Sequence, residues 1–583
     1  MCEANPRRAS DWHSKRREDL LAAALRGGPV ALHWFAIMRS KTASFLFRSS
    51  VCVALVALGG CNREPIGVQG RATRAEMRTN LIYEANLHQG PEGLRAFLAD
   101  FPKGADLHVH LSGAVYAESF IRDAGEDGLC VDTATLSFAK APCRGKLVPA
   151  KDLEGNITPA NQALYDKLID SFSLRSFVPA PGWSGHDQFF ATFGKFGGLS
   201  KSHTGEWVDE VASRAAAENQ QYLELMQTPA FGHAAQIAHQ IGWNPGLAQG
   251  DPQAFALFRQ ALLDHGLRDE VAPDRDDAHE AEAERKKLEH CGTAEATAAC
   301  EVEVRYIYQV LRAFPPEQVF AQTLLGFETV TASMDAGDNT WVGINFVQPE
   351  DGLISMRDYS LHMKMVAYLH SVYPKVHISL HAGELALGMV PPEGLRFHIR
   401  QAVEIAGAER IGHGVDIMFE DNARQLLQEM ADKHIMVEIN LSSNEGILGV
   451  EGDQHPFPIY RSAHVPVALS TDDEGVSRID ITHEYVRAAI DYNLSYRDLK
   501  QLARTGIEHS FLPGPSLWIK PDDYRLAVGA CRSQLGEDQP SGECKAFVDG
   551  SQKAAAQMEL ERRFKAFENK FQGPEFDRMS HGQ

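Results

Sequence analysis

The sequence predicts an α/β fold, a (β/α)8 TIM barrel, on three observations. Eight short apolar runs rich in β-branched residues recur along the chain, and helical patterns separate most of them. Strands and helices that alternate in this way form parallel sheets. Four of the runs end in, or are followed by, histidine or aspartate, at the strand ends where barrels place functional side chains. The length of 583 residues, with 44% hydrophobic and 23% charged residues, fits a folded globular protein.

The elements follow one another in barrel order. The predicted strands comprise residues 106–111, 222–226, 304–310, 341–347, 376–381, 410–416, 435–440 and 465–471. The clearest predicted helices comprise residues 206–219, 357–371, 397–406, 423–433, 481–492, 496–509 and the tail from 552. We expect the barrel to span residues 101–515, after an N-terminal linker and helix at 61–100. A C-terminal disulfide loop and helix at 516–583 follow it.

The uneven spacing of the strands predicts two insertions. The first lies after strand 1, at about 120–200, and the second lies before strand 3, at about 264–301. The second is rich in charge and alanine, and is predicted to be helix or flexible loop. Within the first, residues 177–190 are rich in Pro, Gly and aromatic residues. A lid over the barrel mouth is one hypothesis for this stretch, and a packed surface loop is the favoured one.

Residues 38–60 are predicted to be an export signal. A basic stretch precedes an unbroken apolar run at residues 51–58, which is too short to span a bilayer and suits a signal peptide. Two glycines before Cys61 resemble a lipobox, so residues 38–60 are expected to be removed and Cys61 lipidated. A plain secretory signal or a short buried helix is the alternative, and residues 1–37 are unassigned. We expect an exported, periplasmic or cell-surface lipoprotein that contacts the membrane only through this anchor.

Six of the nine cysteines form three close pairs after Cys61. The pairs are Cys130 with Cys143, Cys291 with Cys300, and Cys531 with Cys544. An even number of cysteines in local pairs suggests disulfides formed in an oxidising compartment, although six cysteines permit 15 connectivities. A zinc site is the alternative, but no pair has the short C-x-x-C spacing.

The charge of the chain argues against a nucleic-acid partner. There are 57 basic and 78 acidic residues, which gives a net charge of −21. Recognition of nucleic-acid phosphates requires clustered Lys and Arg. We therefore expect no nucleic-acid binding and attribute most of the negative charge to solubility.

Two motifs combine histidine with a strand end. His108 and His110 occupy positions i and i+2 of strand 1, so both imidazoles lie on one face. His381 ends strand 5, and Gly383 permits a turn that brings Glu384 over the same end. A histidine and a carboxylate so arranged suit a metal ligand and a proton shuttle. The alternatives are two ordinary polar histidines and a glutamate in the first turn of a helix.

Two further motifs complete the candidate site. His413 lies between two glycines at the end of strand 6, and Asp472 and Asp473 follow strand 8. Adjacent carboxylates repel each other, so they require a cation or a hydrogen-bonding substrate. The alternatives are a turn that contains histidine and an exposed helix cap. Taken together, three histidines and one aspartate form an N₃O ligand set that suits a single zinc ion.

The motifs KGADLHVHLSGA, HAGE, IGHG and STDD, in this order, resemble the adenosine deaminase family of metal-dependent amidohydrolases from about residue 103 to residue 512. The resemblance implies that one zinc ion per chain is held by His108, His110, His381 and Asp472. It also implies that Glu384 delivers a proton to purine N1 and that His413 orients the attacking water. Asp473 would bond to purine N7.

The implied reaction is zinc-dependent hydrolytic deamination of adenosine or 2′-deoxyadenosine to inosine and ammonia. Ser112 stands where members often carry Asp near the ribose 5′ side. Gln348 stands where members carry Gly near purine N3, and its side chain is expected to narrow the pocket. These departures leave a 5′-modified or N6-substituted adenine nucleoside or nucleotide as the alternative substrate. Outside the enzymes, a non-catalytic nucleoside-binding lipoprotein is the alternative, and the oligomeric state is left open.

Overall fold

The structure is a computed structural model that describes residues 73–155 and 158–573. The predicted signal peptide, the lipobox and Cys61 lie outside the described residues. In the described ranges, no helix is both long enough and apolar enough to cross a bilayer.

Eight parallel strands form a barrel at the centre of the described chain. They are β1 Gly104–His110, β2 Gln220–Gln227, β3 Glu303–Leu311, β4 Trp341–Val347, β5 His377–Ala382, β6 Arg410–His413, β7 Met436–Ile439 and β8 Val467–Leu469. Each strand pairs with the next. The last joins the first just beyond β8, where the backbone N–H of Asp472 donates to the carbonyl of His108 at 2.9 Å. The predicted (β/α)8 barrel is therefore confirmed, with all eight strands in the expected order.

The strands read as continuous apolar runs because helices cover the outside of the barrel. Every residue of β1 and β4 is buried. The main outer helices are Thr204–Ala217, Pro316–Ala336, Leu353–Val372, Ala423–Asp432, Ile481–Asp491 and Tyr496–Glu508. The predicted helix at 397–406 is less regular. It consists of the short α-helix His398–Gln401 and a wider π-type turn, Ala402–Ala406, and it ends where Gly407 adopts a left-handed conformation.

The first insertion has its own apolar core. Its helices are Ala117–Glu126, Asp152–Gly155, Pro159–Ser171 and Gly185–Phe193, and a small sheet is formed by Cys130–Asp132, Ser137–Ala139 and Leu147–Pro149. Phe120 stacks on Phe196 at 4.6 Å between ring centroids, and Phe172 packs against the same ring. The favoured hypothesis of a surface loop at 177–190 is wrong for its second half, which forms the start of helix Gly185–Phe193.

The second insertion and both ends of the described chain are mainly helical. Residues 264–301 contain helix Val271–Leu288, which settles the choice between helix and loop. The N-terminal part contains two helices, Arg74–Gln89 and Pro91–Ala99, where one was expected. The C-terminal part adds a hairpin and helices Gly542–Asp549 and Gln552–Asn569.

All three predicted disulfides are present and lie outside the barrel strands. They join Cys130 to Cys143, Cys291 to Cys300, and Cys531 to Cys544. Because each closes a short local loop, they stabilise the insertions and the C-terminal region rather than the barrel itself.

Candidate active site

The carboxyl ends of the strands bring the four predicted metal ligands together. His110 Nε2 lies 3.2 Å from His381 Nε2 and 3.2 Å from Asp472 Oδ1. His108 Nε2 lies 3.5 Å from the same aspartate oxygen. All four side chains are buried. These donor atoms are close enough to share one ion.

The other ring nitrogen of each of these three histidines faces a hydrogen-bond acceptor. The partners are Glu438 Oε2 for His108 Nδ1 at 2.6 Å, Gln309 Oε1 for His110 Nδ1 at 2.9 Å, and Asn345 Oδ1 for His381 Nδ1 at 2.8 Å. The orientation of Asn345 is fixed, because its Oδ1 also accepts from the backbone N–H of His381. In each neutral ring the proton therefore lies on Nδ1 and the lone pair lies on Nε2.

This arrangement fits a metal ion. The lone pairs of His110 and His381 face each other at 3.2 Å beside the carboxylate of Asp472, and they repel unless a metal cation or a proton lies between them. His108 Nε2 is buried and has no hydrogen-bond partner in the described part of the chain. Three imidazole nitrogens and one carboxylate oxygen are the ligands that zinc favours.

A buried ionic network supports His108 from behind. The carboxylate of Glu438 accepts from His108 and from Ser379 Oγ at 3.0 Å, and it forms an ion pair with Arg410, whose Nε lies 2.7 Å away. Arg410 also pairs with Glu224 at 2.6 Å. Burial alone would raise the pKa of Glu438, but the Arg410 and His108 charges hold it below its usual value. Glu438 is therefore an anionic acceptor that keeps the Nδ1 proton of His108 in place.

A tight turn positions Glu384 at the same end of the barrel. Gly383 has φ of +76°, and a Cβ there would lie 2.5 Å from Asp416 Oδ1, so only glycine fits. Glu350 fixes the turn by accepting from the backbone N–H groups of Gly383 at 3.0 Å and Glu384 at 2.8 Å. Burial, reinforced by the Asp472 and Glu350 charges, raises the pKa of Glu384 well above its usual value. The protonated acid is therefore favoured.

His413 lies close to Glu384 and Asp472. Its Nε2 is 3.7 Å from Glu384 Oε1 and 3.9 Å from Asp472 Oδ2. Asp472 is held by Ser443, whose hydroxyl donates to Oδ2 at 2.7 Å. His413, Asp472 and Gln348 all have positive φ, at +70°, +61° and +83°. Such conformations cost about 1–3 kcal/mol in non-glycine residues and concentrate at functional sites.

A cavity of about 290 Å³ opens beside this cluster. One wall consists of Phe189, Phe190 and Phe193, from helix Gly185–Phe193 of the first insertion. This helix approaches helix Leu441–Leu448, which follows β7, so closely that a Cβ on Gly185 would lie 1.9 Å from the carbonyl oxygen of Gly446. Ser112 lies on the wall, and none of the described residues that line the cavity is Lys or Arg. A second cavity, of about 340 Å³, lies under helix Val271–Leu288 and contains none of the predicted site residues.

Asp473 offers the cavity a carboxyl oxygen that has no hydrogen-bond partner among the described residues. Its Oδ1 is buried and makes no hydrogen bond within the described ranges. A Cβ on Gly113 would lie 1.4 Å from this oxygen, which explains the glycine in the SGA part of the first motif. Burial raises the pKa of Asp473 well above its usual value, and the adjacent Asp472 charge adds to the shift.

Gln348 lines the cavity with its side chain tied to the wall. Its Oε1 accepts from the backbone N–H of Ala313 at 2.8 Å, and its carbonyl accepts from Arg312 Nε at 3.0 Å. The residue therefore occupies a backbone conformation that favours glycine and holds it with a side-chain hydrogen bond.

The sequence reasoning missed the residues that orient the site. They are Gln309, Asn345, Glu350, Glu438, Ser443 and Asn444. One signal was available, because Asn345 and Glu438 are polar residues within otherwise apolar strands, where a buried polar group requires a partner.

Comparisons with known proteins find similarity to adenosine deaminases over part of the chain. A family model described as adenosine deaminase matches residues 283–517. An adenosine deaminase of Escherichia coli is 39% identical over 137 residues, which is 23% of this chain and 38% of that protein. One of Clostridium perfringens is 33% identical over 135 residues, which is 23% of this chain and 37% of that protein. The matched segment, residues 283–517, is similar to the adenosine deaminase family.

The matched regions of these adenosine deaminases are partial. The alignments span less than two fifths of the length of the two bacterial relatives. Among solved structures, the chain is similar to an Arabidopsis N6-mAMP deaminase, with a TM-score of 0.45 and 21% identity over 71% of this chain and 95% of that chain.

Proposed function

We propose that this protein hydrolytically deaminates adenosine or 2′-deoxyadenosine to inosine and ammonia, with one zinc ion per chain. One observation carries the proposal. The lone pairs of His108, His110 and His381 converge on a point next to Glu384 and beside a cavity. A zinc ion held by them and by Asp472 would act as a Lewis acid that lowers the pKa of water.

The protein's own acids suit the acceptor nitrogens of adenine. Purine N1 and N7 each present a lone pair, so a partner must donate a proton or a hydrogen bond. Burial favours the protonated forms of Glu384 and Asp473. Glu384 is assigned to deliver a proton to N1, which prevents negative charge from accumulating on the ring as water adds to C6. Asp473 is assigned to donate to N7.

The cavity favours a nucleoside over a nucleotide. A 5′-phosphate requires Lys, Arg or several N–H donors, and no described residue that lines the cavity is Lys or Arg. Ser112 is neutral and small, so an uncharged 5′-modified or N6-substituted adenosine is the second candidate substrate.

Turnover of adenosine by the zinc-loaded protein tests the reaction. Inosine formation is followed by the loss of the adenosine ultraviolet band, before and after removal of the metal by a chelator. Glu384→Gln is expected to retain zinc and to lower kcat by about 10²- to 10⁴-fold, the range for loss of a general acid. Glu537→Gln, which alters an exposed ion pair with Lys565, is the matched control. Undiminished turnover by Glu384→Gln would refute its role.

A substrate series tests the nucleoside assignment. We expect kcat/KM for AMP to be about 100-fold below that for adenosine, because about 3 kcal/mol of charge-assisted hydrogen bonding is not supplied to the phosphate. Comparable values for AMP and adenosine would overturn this assignment. Tight binding of adenosine without any turnover would instead favour the nucleoside-binding lipoprotein.

We also propose that the protein is exported and anchored through Cys61. The signal resides in residues 38–60, and the three disulfides support an oxidising compartment. Incorporation of labelled palmitate into the wild type, and its loss in Cys61→Ala, would test the anchor. Equal incorporation into both proteins would refute it.

A further inference from the structure

Four imidazoles cluster at the carboxyl end of the barrel, and proximity alone does not separate the metal ligands from the fourth ring. One nitrogen each of His108, His381 and His413 and one oxygen of Asp472 lie within 4.8 Å of one another. The hydrogen bonds on the far side of each ring do separate them. His108, His110 and His381 present Nδ1 to oxygen acceptors, whereas His413 presents Nδ1 to amide donors.

The series of hydrogen bonds that ends at His413 begins at the backbone N–H of Phe457, which can only donate. Phe457 is the first residue of helix Phe457–Ser462, and its N–H has no partner within the helix. This N–H donates to Nδ1 of His455 at 3.1 Å. Burial lowers the pKa of His455 to about 3, so the ring is neutral. The single ring proton of His455 must therefore lie on Nε2.

That proton fixes the next two groups. His455 Nε2 donates to Oδ1 of Asn444 at 3.0 Å, which assigns the amide orientation without ambiguity. The NH₂ group of Asn444 then donates to Nδ1 of His413 at 2.9 Å, and Asn440 Nδ2 lies 3.3 Å from the same nitrogen. Asn444, His455 and His413 are all buried, so water does not compete with this series of bonds.

We infer that Asn444 and His455 are positioning residues that fix the tautomer of His413, with its proton on Nε2. His413 then presents an N–H to the site, and in its neutral form it has no lone pair there. Its Nε2 faces Glu384 and Asp472 and is otherwise without a partner in the described structure. His413 therefore neither ligates the metal nor accepts the proton of the attacking water. It holds that oxygen by donating a hydrogen bond, a role that rests on the proposed deaminase function.

The tautomer is measured directly by ¹⁵N NMR of histidine-labelled protein, in the metal-free and the zinc-loaded forms. The signals of His413 are assigned by their loss in His413→Gln. A bare ring nitrogen and a protonated one resonate far apart, so the two tautomers are distinct. We expect Nδ1 bare and Nε2 protonated in the wild type. Protonation of Nδ1 in the wild type would overturn the inference.

Two variants at one position separate polarity from packing. Asn444→Asp keeps the size of the side chain but presents an acceptor to His413, so Nδ1 should gain the proton. Asn444→Ala removes the donor without adding an acceptor, and Asn440 remains to donate. We expect Asn444→Asp to lower kcat by about 10²- to 10³-fold, as for loss of a preorganised donor, with KM nearly unchanged. The loss in Asn444→Ala should be smaller.

The outcomes distinguish this inference from the proposed function. An unchanged His413 tautomer in Asn444→Asp, or equal losses of kcat in both variants, would refute the positioning role. If the tautomer switches as expected but the wild type does not deaminate adenosine, the tautomer assignment stands and the proposed function fails. Should Asn444→Asp not fold, the wild-type spectrum and Asn444→Ala still decide the question.

Discussion

Glu438→Gln provides the sharpest test of how the protein prepares its metal ligands. Glu438 accepts from His108 Nδ1 at 2.6 Å and forms an ion pair with Arg410 Nε at 2.7 Å. Glutamine preserves the size of the side chain but has one acceptor oxygen in place of two and no charge. Both His108 and Arg410 would lose their anionic partner, and only one of them could face the remaining oxygen. Arg410 would still be paired with Glu224, so the fold should survive.

The expected loss of metal affinity is about 10- to 100-fold, which is typical when the acceptor behind a ligating histidine is removed. This corresponds to about 1.4–2.7 kcal/mol. Zinc affinity is measured by competition with a chromophoric chelator, and the free energy of unfolding of the metal-free protein is measured separately in urea. Glu537→Gln, on the surface, should change neither quantity. If Glu438→Gln is destabilised but binds zinc as tightly as the wild type, Glu438 is a structural residue only and the reasoning is wrong.

Three further perturbations have defined outcomes. Gly113→Ala would place a methyl group against Asp473, and this overpacking should lower the free energy of unfolding by about 1–3 kcal/mol. It should also raise KM for adenosine with zinc content unchanged. An unaltered KM would contradict the assigned role of Asp473. Replacing both Cys531 and Cys544, which are 13 residues apart, by alanine should lower the free energy of unfolding by about 3 kcal/mol without loss of zinc. This is the entropic cost of closing a loop of that length in the unfolded chain. Burial opposes ionisation of Asp338, but hydrogen bonds from its neighbours lower its pKa to about 2. The ionised Asp338 therefore contributes its full stability above the unfolded pKa of about 3.9, and this contribution is lost as the pH falls through 2. The difference in free energy of unfolding between wild type and Asp338→Asn should be largest near pH 7 and should shrink between pH 4 and pH 2.

The barrel could be predicted from the sequence because its strands are buried on both faces. Such strands are continuous apolar runs, and the helical periodicity between them is clear. The boundaries were less accurate for β6 and β8, which are shorter than their apolar runs. In β6 the chain leaves the sheet at His413, which adopts positive φ, and apolar patterning carries no information about that conformation.

The candidate site was predicted as a set of residues but not as a set of hydrogen bonds. The four motifs identified the side chains that face the barrel mouth, because they stand at strand ends. The Nδ1 atoms of the three histidines bond to Gln309, Asn345 and Glu438, which belong to other strands. Their partnerships arise from the register between strands, which a single sequence does not specify.

The first insertion illustrates the same limit. Its composition predicted a departure from the barrel, and its aromatic residues were noted. The sequence did not reveal that helix Gly185–Phe193 turns three phenylalanines towards the cavity. That outcome depends on close contact of its glycine with the backbone of helix Leu441–Leu448, which is a property of the assembled fold.

The pairing of β1 with the segment that follows β8 links metal binding to the closure of the barrel. The first and last strands of the barrel are connected at His108, His110 and Asp472, the same residues that offer lone pairs to an ion. Any metal bound there would link the first and last strands of the barrel. It could bind only after the last strand has folded against the first. Stripping the ion should loosen this pairing first, and the amide hydrogen of His110 should exchange with solvent sooner than those in the middle of the sheet.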